Sequence, residues 1–224
     1  MCLLECVEPF FNRPNLRHVI FVLVCVMLGV SLEEGFRFVE NVIEKDLSLI
    51  LAGQLQDQLK KAGIRVRMTR DKDCFLGLEE RCQIAAEVKA DAFVSVHLNT
   101  NPATEIHGIE TYFAASQSLM ARSVKVIGRA KRVALGEQLA KIIQRKACQV
   151  TKAQDRGIKD SQLIVVMRSP CPAALVECGF LTNAEEAELM KRADYQQSLT
   201  KGIAEGLVEF LRSQGRAVQV AKAP

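Results

Sequence analysis

Three histidines occur in the 224 residues, and His97 stands where the apolar run of DAFVSVHLNT (residues 91–100) ends. An imidazole at that place offers a metal ligand or a proton carrier, and it serves equally as a hydrogen-bonded structural group at a strand end. Glu177 follows AALV within PCPAALVECGF, and no basic residue occurs between positions 170 and 190. A carboxylate buried there without a partner is costly, and apolar surroundings raise its pKa towards that of a useful general base. Glu44 opens EKDLSL, where the dipole of a following helix favours a carboxylate whether or not it does chemistry. The three together make a chemical set. Imidazole and carboxylate are ordinary zinc ligands, and a further glutamate can activate water. Zinc brings the pKa of its water towards ~7 and polarises a carbonyl, so the set suits amide hydrolysis.

These residues need elements that bring them together. Leu47, Ile50, Leu51, Leu55 and Leu59 recur at spacings of three and four, which predicts a helix that ends at Gly63. Residues 64–68 alternate apolar with Arg as a half-exposed strand does. A polar TRDKD loop, a helix near 78–88 and the strand that ends in His97 follow. GIETYFA (108–114) reads as another strand, and 134–150 as a helix with Leu135, Leu139, Ile142 and Ile143 on one side. After a polar turn holding Asp155, Arg156 and Gly157 come two short apolar runs, 163–167 and 173–176. NAEE (183–186) predicts a capping box, with Asn183 as N-cap and Glu186 reaching back to it, and a last helix runs near 195–212. Strands that alternate with helices of this length predict a single α/β domain whose mostly parallel sheet carries helices on both faces. In that class, sites gather at the carboxyl ends of strands, where His97 and Glu177 fall.

The chain is long enough for a full hydrophobic core. Thirty basic against 26 acidic residues give a net charge of +4. The excess, near 122–132 and 141–152, is spaced for solvated helix faces and carries no interleaved aromatics, so no nucleic-acid partner is expected. Eight cysteines (2, 6, 25, 74, 82, 148, 171, 178) are scattered without a CxxC, which speaks against zinc-finger ligation. The apolar run 19–30 is too short to span a membrane comfortably; it suits a first buried strand or a signal-peptide core. The domain is expected over 19–213, with an irregular segment at 1–18 and a flexible tail at 214–224.

From Glu44 to Leu211 the chain resembles the zinc-dependent N-acetylmuramoyl-L-alanine amidases of bacterial cell-wall hydrolysis. The matching pieces are EKDLSL, LKKAGIRVRMTRDKD, LEERCQIAAEVKADAFVSVHLN, GIETYF, DRGIK and PAALVECGFLTNAEEAELM, in the family's order. The resemblance implies a twisted sheet of about six strands between helices, one Zn²⁺, and cleavage of the amide between N-acetylmuramic acid and L-alanine of the peptidoglycan stem peptide. It places Glu44 and His97 on two of the family's zinc ligands and Glu177 on its catalytic glutamate. Arg70 and Arg81 fall on recurrent arginines, read as organisers of loops. Peptidoglycan as substrate implies export to the periplasm or cell envelope.

One piece departs from the pattern. The family's first strand runs into DPGHGG, whose histidine is its first zinc ligand, whereas VIFV here runs into LVCVMLGVSLEEG. His18 precedes that strand, His107 precedes GIETYF, and Cys25 lies within about a residue of the missing ligand. Three readings follow: an active amidase whose third ligand is unexpected or whose segment before Glu44 is altered by a displaced start or reading frame; a catalytically impaired relative that binds peptidoglycan or a regulatory partner; and a zinc peptidase acting on the stem peptide.

Overall fold

The computed structural model describes residues 44–115, 126–216 and 218, and the backbone at 21–26. Residues 1–18, with His18, lie outside the described residues, as does most of 214–224. In chain order the elements are β1 (Phe21–Val26), α1 (Glu44–Lys61), β2 (Arg65–Met68), α2 (Leu78–Glu87), β3 (Ala92–Asn99), β4 (Ile109–Ala114), α3 (Val126–Thr151), β5 (Asp155–Ser161), α4 (Ile164–Met167), β6 (Ala173–Phe180), α5 (Ala184–Lys191) and α6 (Ala193–Ser213).

The sheet has the strand order β2-β1-β3-β6-β4-β5. It is mixed, because β4 runs antiparallel to β6 while the other pairings are parallel. The connection explains the exception. Residues 100–108 join β3 to β4 without a crossover helix, so the chain stays at the sheet edge it has reached and must run back. The run 19–30 contributes β1, which lies between β2 and β3.

Alternation along the central strands divides two apolar layers. Val94, Val96 and Leu98 of β3 point into the larger one, with Ala174 and Val176 of β6 and residues of α1, α3 and α6. Phe93 and Leu175 point into a smaller one beneath α2 and α4. The helix stripe of α1 is as the spacing predicts: Leu47, Leu51, Leu55 and Leu59 are buried. Its end is set by Gly63 at φ 76°, which allows Gly63 N–H to reach Lys60 O and Ile64 N–H to reach Leu59 O.

Two local expectations need correction, and one apolar run takes a form that its sequence left open. The stretch at Asp155, Arg156 and Gly157 is the start of edge strand β5 and not a turn; its polar sequence shows no apolar alternation because neither face is fully buried. Residues 164–167 form the short helix α4, burying Val165, Val166 and Met167. Asn183 does cap α5 by accepting from Glu186 N–H, but the Glu186 side chain does not return to it. That carboxylate accepts instead from Gly108 N–H and Phe180 N–H, tying the start of β4 to the end of β6.

Helices α3 and α6 pack closely because α6 has glycine at the contact. A Cβ on Gly206 would lie 2.8 Å from Ile143 Cα, and one on Gly202 would lie 2.8 Å from Ala147 Cα. Gly206→Val is therefore expected to destabilise the domain by about 1–3 kcal/mol, read as a lower melting temperature. An unchanged melting temperature would mean that the two helices separate freely. Beyond α6, Arg216 pairs with Asp91 and Val218 packs against the larger core. Among the described residues no helix is long and apolar enough to cross a membrane.

Candidate active site

The central strands deliver a polar row where their apolar character ends. His97 lies within β3, two residues before its end, opposite Glu177 of β6; Glu177 in turn lies opposite Glu110 of β4. Directly opposed residues share a face, so the three side chains stand side by side. It is the face of the smaller apolar layer, beyond the cover of α2 and α4. Glu44, the first residue of α1, reaches the row from the neighbouring helix: its Oε1 lies 3.6 Å from His97 Nδ1 and accepts from Leu98 N–H at 3.3 Å. The structure thus brings together the three residues singled out by type and position.

Their electrostatics follow from burial. His97 is 9 % exposed, and desolvation, helped by the nearby Arg81 charge, pushes its pKa down to about 3. The imidazole is neutral at physiological pH, the form that binds metals. Its Nε2 lies 2.9 Å from Ser95 Oγ, a contact that orients the ring. Burial pushes Glu44 up to about 7, against the opposing Leu98 hydrogen bond. Glu177 is raised well above the usual carboxylate range, first by burial and then by the charges of Glu44 and Glu110. Its Oε2 is inaccessible and, among the described residues, has no hydrogen-bond partner.

Raised carboxylates next to a neutral imidazole describe a site short of positive charge. The donor pair fits zinc in chemistry and in separation, since ligands ~2.0–2.2 Å from a tetrahedral zinc lie roughly 3.3 Å apart. Among the described residues no three His, Cys, Asp or Glu side chains gather to hold a metal, so the pair is an incomplete set. His107 does not complete it there: it is exposed, with Nδ1 2.9 Å from Glu105 O. Cys25 takes the β1 position opposite Ser95, two residues short of His97 along the sheet.

The arginines organise loops. Arg70 donates from Nη2 to Lys45 O (2.7 Å) and from Nη1 to Lys72 O, holding the loop after β2 against the start of α1. Arg81 donates from Nε to Leu76 O.

Glu110 is the site residue that sequence reasoning passed over. It is 2 % exposed and accepts from Asn99 Nδ2 and Tyr112 Oη at Oε1, and from Arg156 Nε and Lys159 Nζ at Oε2. The available signal was a lone carboxylate inside the strand IETYFA, the same argument that picked out Glu177. Burial alone would raise its pKa; the bonds from Lys159, Tyr112 and Arg156 outweigh burial and hold it below the usual range. A depressed folded-state pKa gives stability that is present above pH ~4.5 and is lost as pH falls through the folded value. The wild-type chain should melt above Glu110→Gln at neutral pH, and the gap should close on acidification below the usual carboxylate range. A gap independent of pH would contradict an ionised Glu110.

The chain matches the family model for N-acetylmuramoyl-L-alanine amidase over residues 31–209. It is 31% identical to the N-acetylmuramoyl-L-alanine amidase LytC of Bacillus subtilis over 77% of this chain, and spans only 32% of that relative. Protein YqiI of Bacillus subtilis is 34% identical over 76% of this chain and 75% of its own length. Among solved structures, an N-acetylmuramoyl-L-alanine amidase from Clostridium difficile 630 superposes with a TM-score of 0.75 at 30% identity, covering 88% of this chain and 99% of that one.

Proposed function

The chain belongs to the N-acetylmuramoyl-L-alanine amidase family, and from that membership we propose that it hydrolyses the amide joining N-acetylmuramic acid to L-alanine of the peptidoglycan stem peptide. The observation that carries this reading is the set Glu44, His97 and Glu177 converging where the central strands β3 and β6 meet the start of α1, with a Glu177 Oε2 that has no hydrogen-bond partner among the described residues. The reading includes the sheet of about six strands as scaffold and residues 19–213 as the catalytic domain. It also places the working protein outside the cytoplasmic membrane, in the periplasm or cell envelope, where peptidoglycan lies.

Glu44 and His97 would hold the zinc. Bound there, zinc would acidify a water and polarise the scissile carbonyl, and its charge would offset the burial that raises Glu177. Glu177 takes a proton from water as the water oxygen attacks the lactyl carbonyl carbon. It then gives that proton to the leaving nitrogen as the carbon–nitrogen bond breaks, yielding a lactyl carboxylic acid and the free amine of L-alanine. Ser95 fixes the imidazole and Arg70 holds the loop beside Glu44, so both act on the geometry and not on the bond.

Product analysis tests the bond. Mass spectrometry of digested muropeptides should show intact stem peptides beginning with L-alanine, and glycan with a free lactyl carboxyl. Fragments cut within the peptide would instead identify a stem-peptide peptidase. One observation favours a second reading: only two metal donors meet among the described residues, which suits a catalytically impaired member that binds peptidoglycan or a regulatory partner.

A further inference from the structure

Glu110 and the cations it holds take no part in those steps, yet they continue the same row. Between Ile109 and Thr111 the β4–β5 register slips, so Glu110 faces both Arg156 and Gly157. A bulge of this kind re-aims a side chain, and Gly157 at φ 77° permits it. Arg156 turns onto Glu110, and Lys159, paired with Tyr112 in the register, joins it. Two positive charges thus meet on one carboxylate.

Arg156 is fixed on three sides. Nε donates to Glu110 at 3.0 Å, Nη1 donates to His107 O at 3.4 Å, and the guanidinium lies 5.0 Å from the centre of the buried Phe180 ring. Those two hydrogen bonds use Nε and Nη1, and 24% of the side chain is exposed. Glu186, whose charge Arg156 also feels, is committed to Gly108 N–H and Phe180 N–H and does not compete. A guanidinium held rigidly by some donors and open at another edge is suited to a planar carboxylate.

Position decides which carboxylate. The row begins with Glu44 and His97 at β3, passes Glu177 at β6 and reaches Glu110 and Arg156 at β4 and β5. A substrate with its scissile amide over Glu177 extends one arm towards α1 and the other towards β5. The glycan arm has no free carboxylate while its lactyl group is in amide linkage, so an anion arriving at β5 belongs to the peptide arm.

We propose that Arg156, with Lys159 beside it, forms a carboxylate-binding subsite for the peptide arm, so that a stem peptide with a free glutamyl α-carboxyl is preferred to its amidated counterpart. This rests on the amidase reading of the adjoining row. The probes are two N-acetylmuramoyl dipeptides, L-alanyl-D-glutamate capped as the γ-methylamide with the α-carboxyl free or amidated, titrated by calorimetry into the Glu177→Gln chain so that neither is consumed. The free acid should bind about tenfold more tightly. Arg156→Gln should remove that preference. Arg156→Lys keeps a cation on Glu110, and so should keep the melting temperature while losing most of the preference, because the single lysine nitrogen is committed to Glu110 and no second nitrogen is left for the ligand. Equal affinity for the two probes, including no measurable binding of either, overturns the subsite, as does a preference that survives Arg156→Gln. Turnover by the unsubstituted chain is read separately, so failure of the amidase reading would show there and not in the ratio of affinities.

Discussion

Glu177→Gln should lower stem-peptide release by about a thousandfold while leaving zinc uptake intact. The substitution keeps the shape of the side chain and removes the group that moves the proton. Nothing in the fold depends on its charge: Oε2 has no hydrogen-bond partner among the described residues, and burial, Glu44 and Glu110 all disfavour ionisation. The melting temperature of the metal-free variant should therefore equal or exceed that of the parent, since an unpartnered carboxylate has been replaced by a neutral amide. Metal content distinguishes the roles. If zinc is lost together with activity, Glu177 is a ligand and the assignment of base and ligand must be exchanged.

His97→Ala should remove both metal and turnover. Of the two donors that meet, His97 is the only nitrogen, and its neutral state is already set by burial. Zinc affinity should fall by more than about a hundredfold, the upper end of what even outer-shell partners are worth. Glu44→Ala should act in the same direction. It also removes the acceptor for Leu98 N–H, so some loss of stability is expected in addition. Equilibrium dialysis against buffered zinc measures the first effect and thermal melting the second. Retention of stoichiometric zinc by both variants would place the metal elsewhere in the chain.

The site was legible to the extent that its residues interrupt apolar strands. His97 and Glu177 each follow a run of buried residues, and a polar group in that position has few structural reasons to be there. The same rule would have found Glu110 inside IETYFA. Arg156 was harder to place, because DRGIKDS lies on an edge strand whose side chains are only partly buried, and the alternation that marks a strand is absent. Its aim depends on a register slip between β4 and β5, which no local pattern records. The direction of β4 was likewise hidden, since it follows from a connection that lacks a helix and not from the strand itself. Glu186 shows the converse limit. NAEE predicts a reciprocal cap, but two backbone N–H groups from distant strands compete for the same carboxylate and win it.

The central claim is that Glu44, His97 and Glu177 form one metal-dependent hydrolytic centre. Metal content and stem-peptide release, measured on the same purified sample, test it most directly. The account predicts about one zinc per chain at micromolar supply, with release of stem peptides that chelation abolishes and added zinc restores. Release that persists after chelation, or a chain that takes up no zinc and releases nothing, would contradict it.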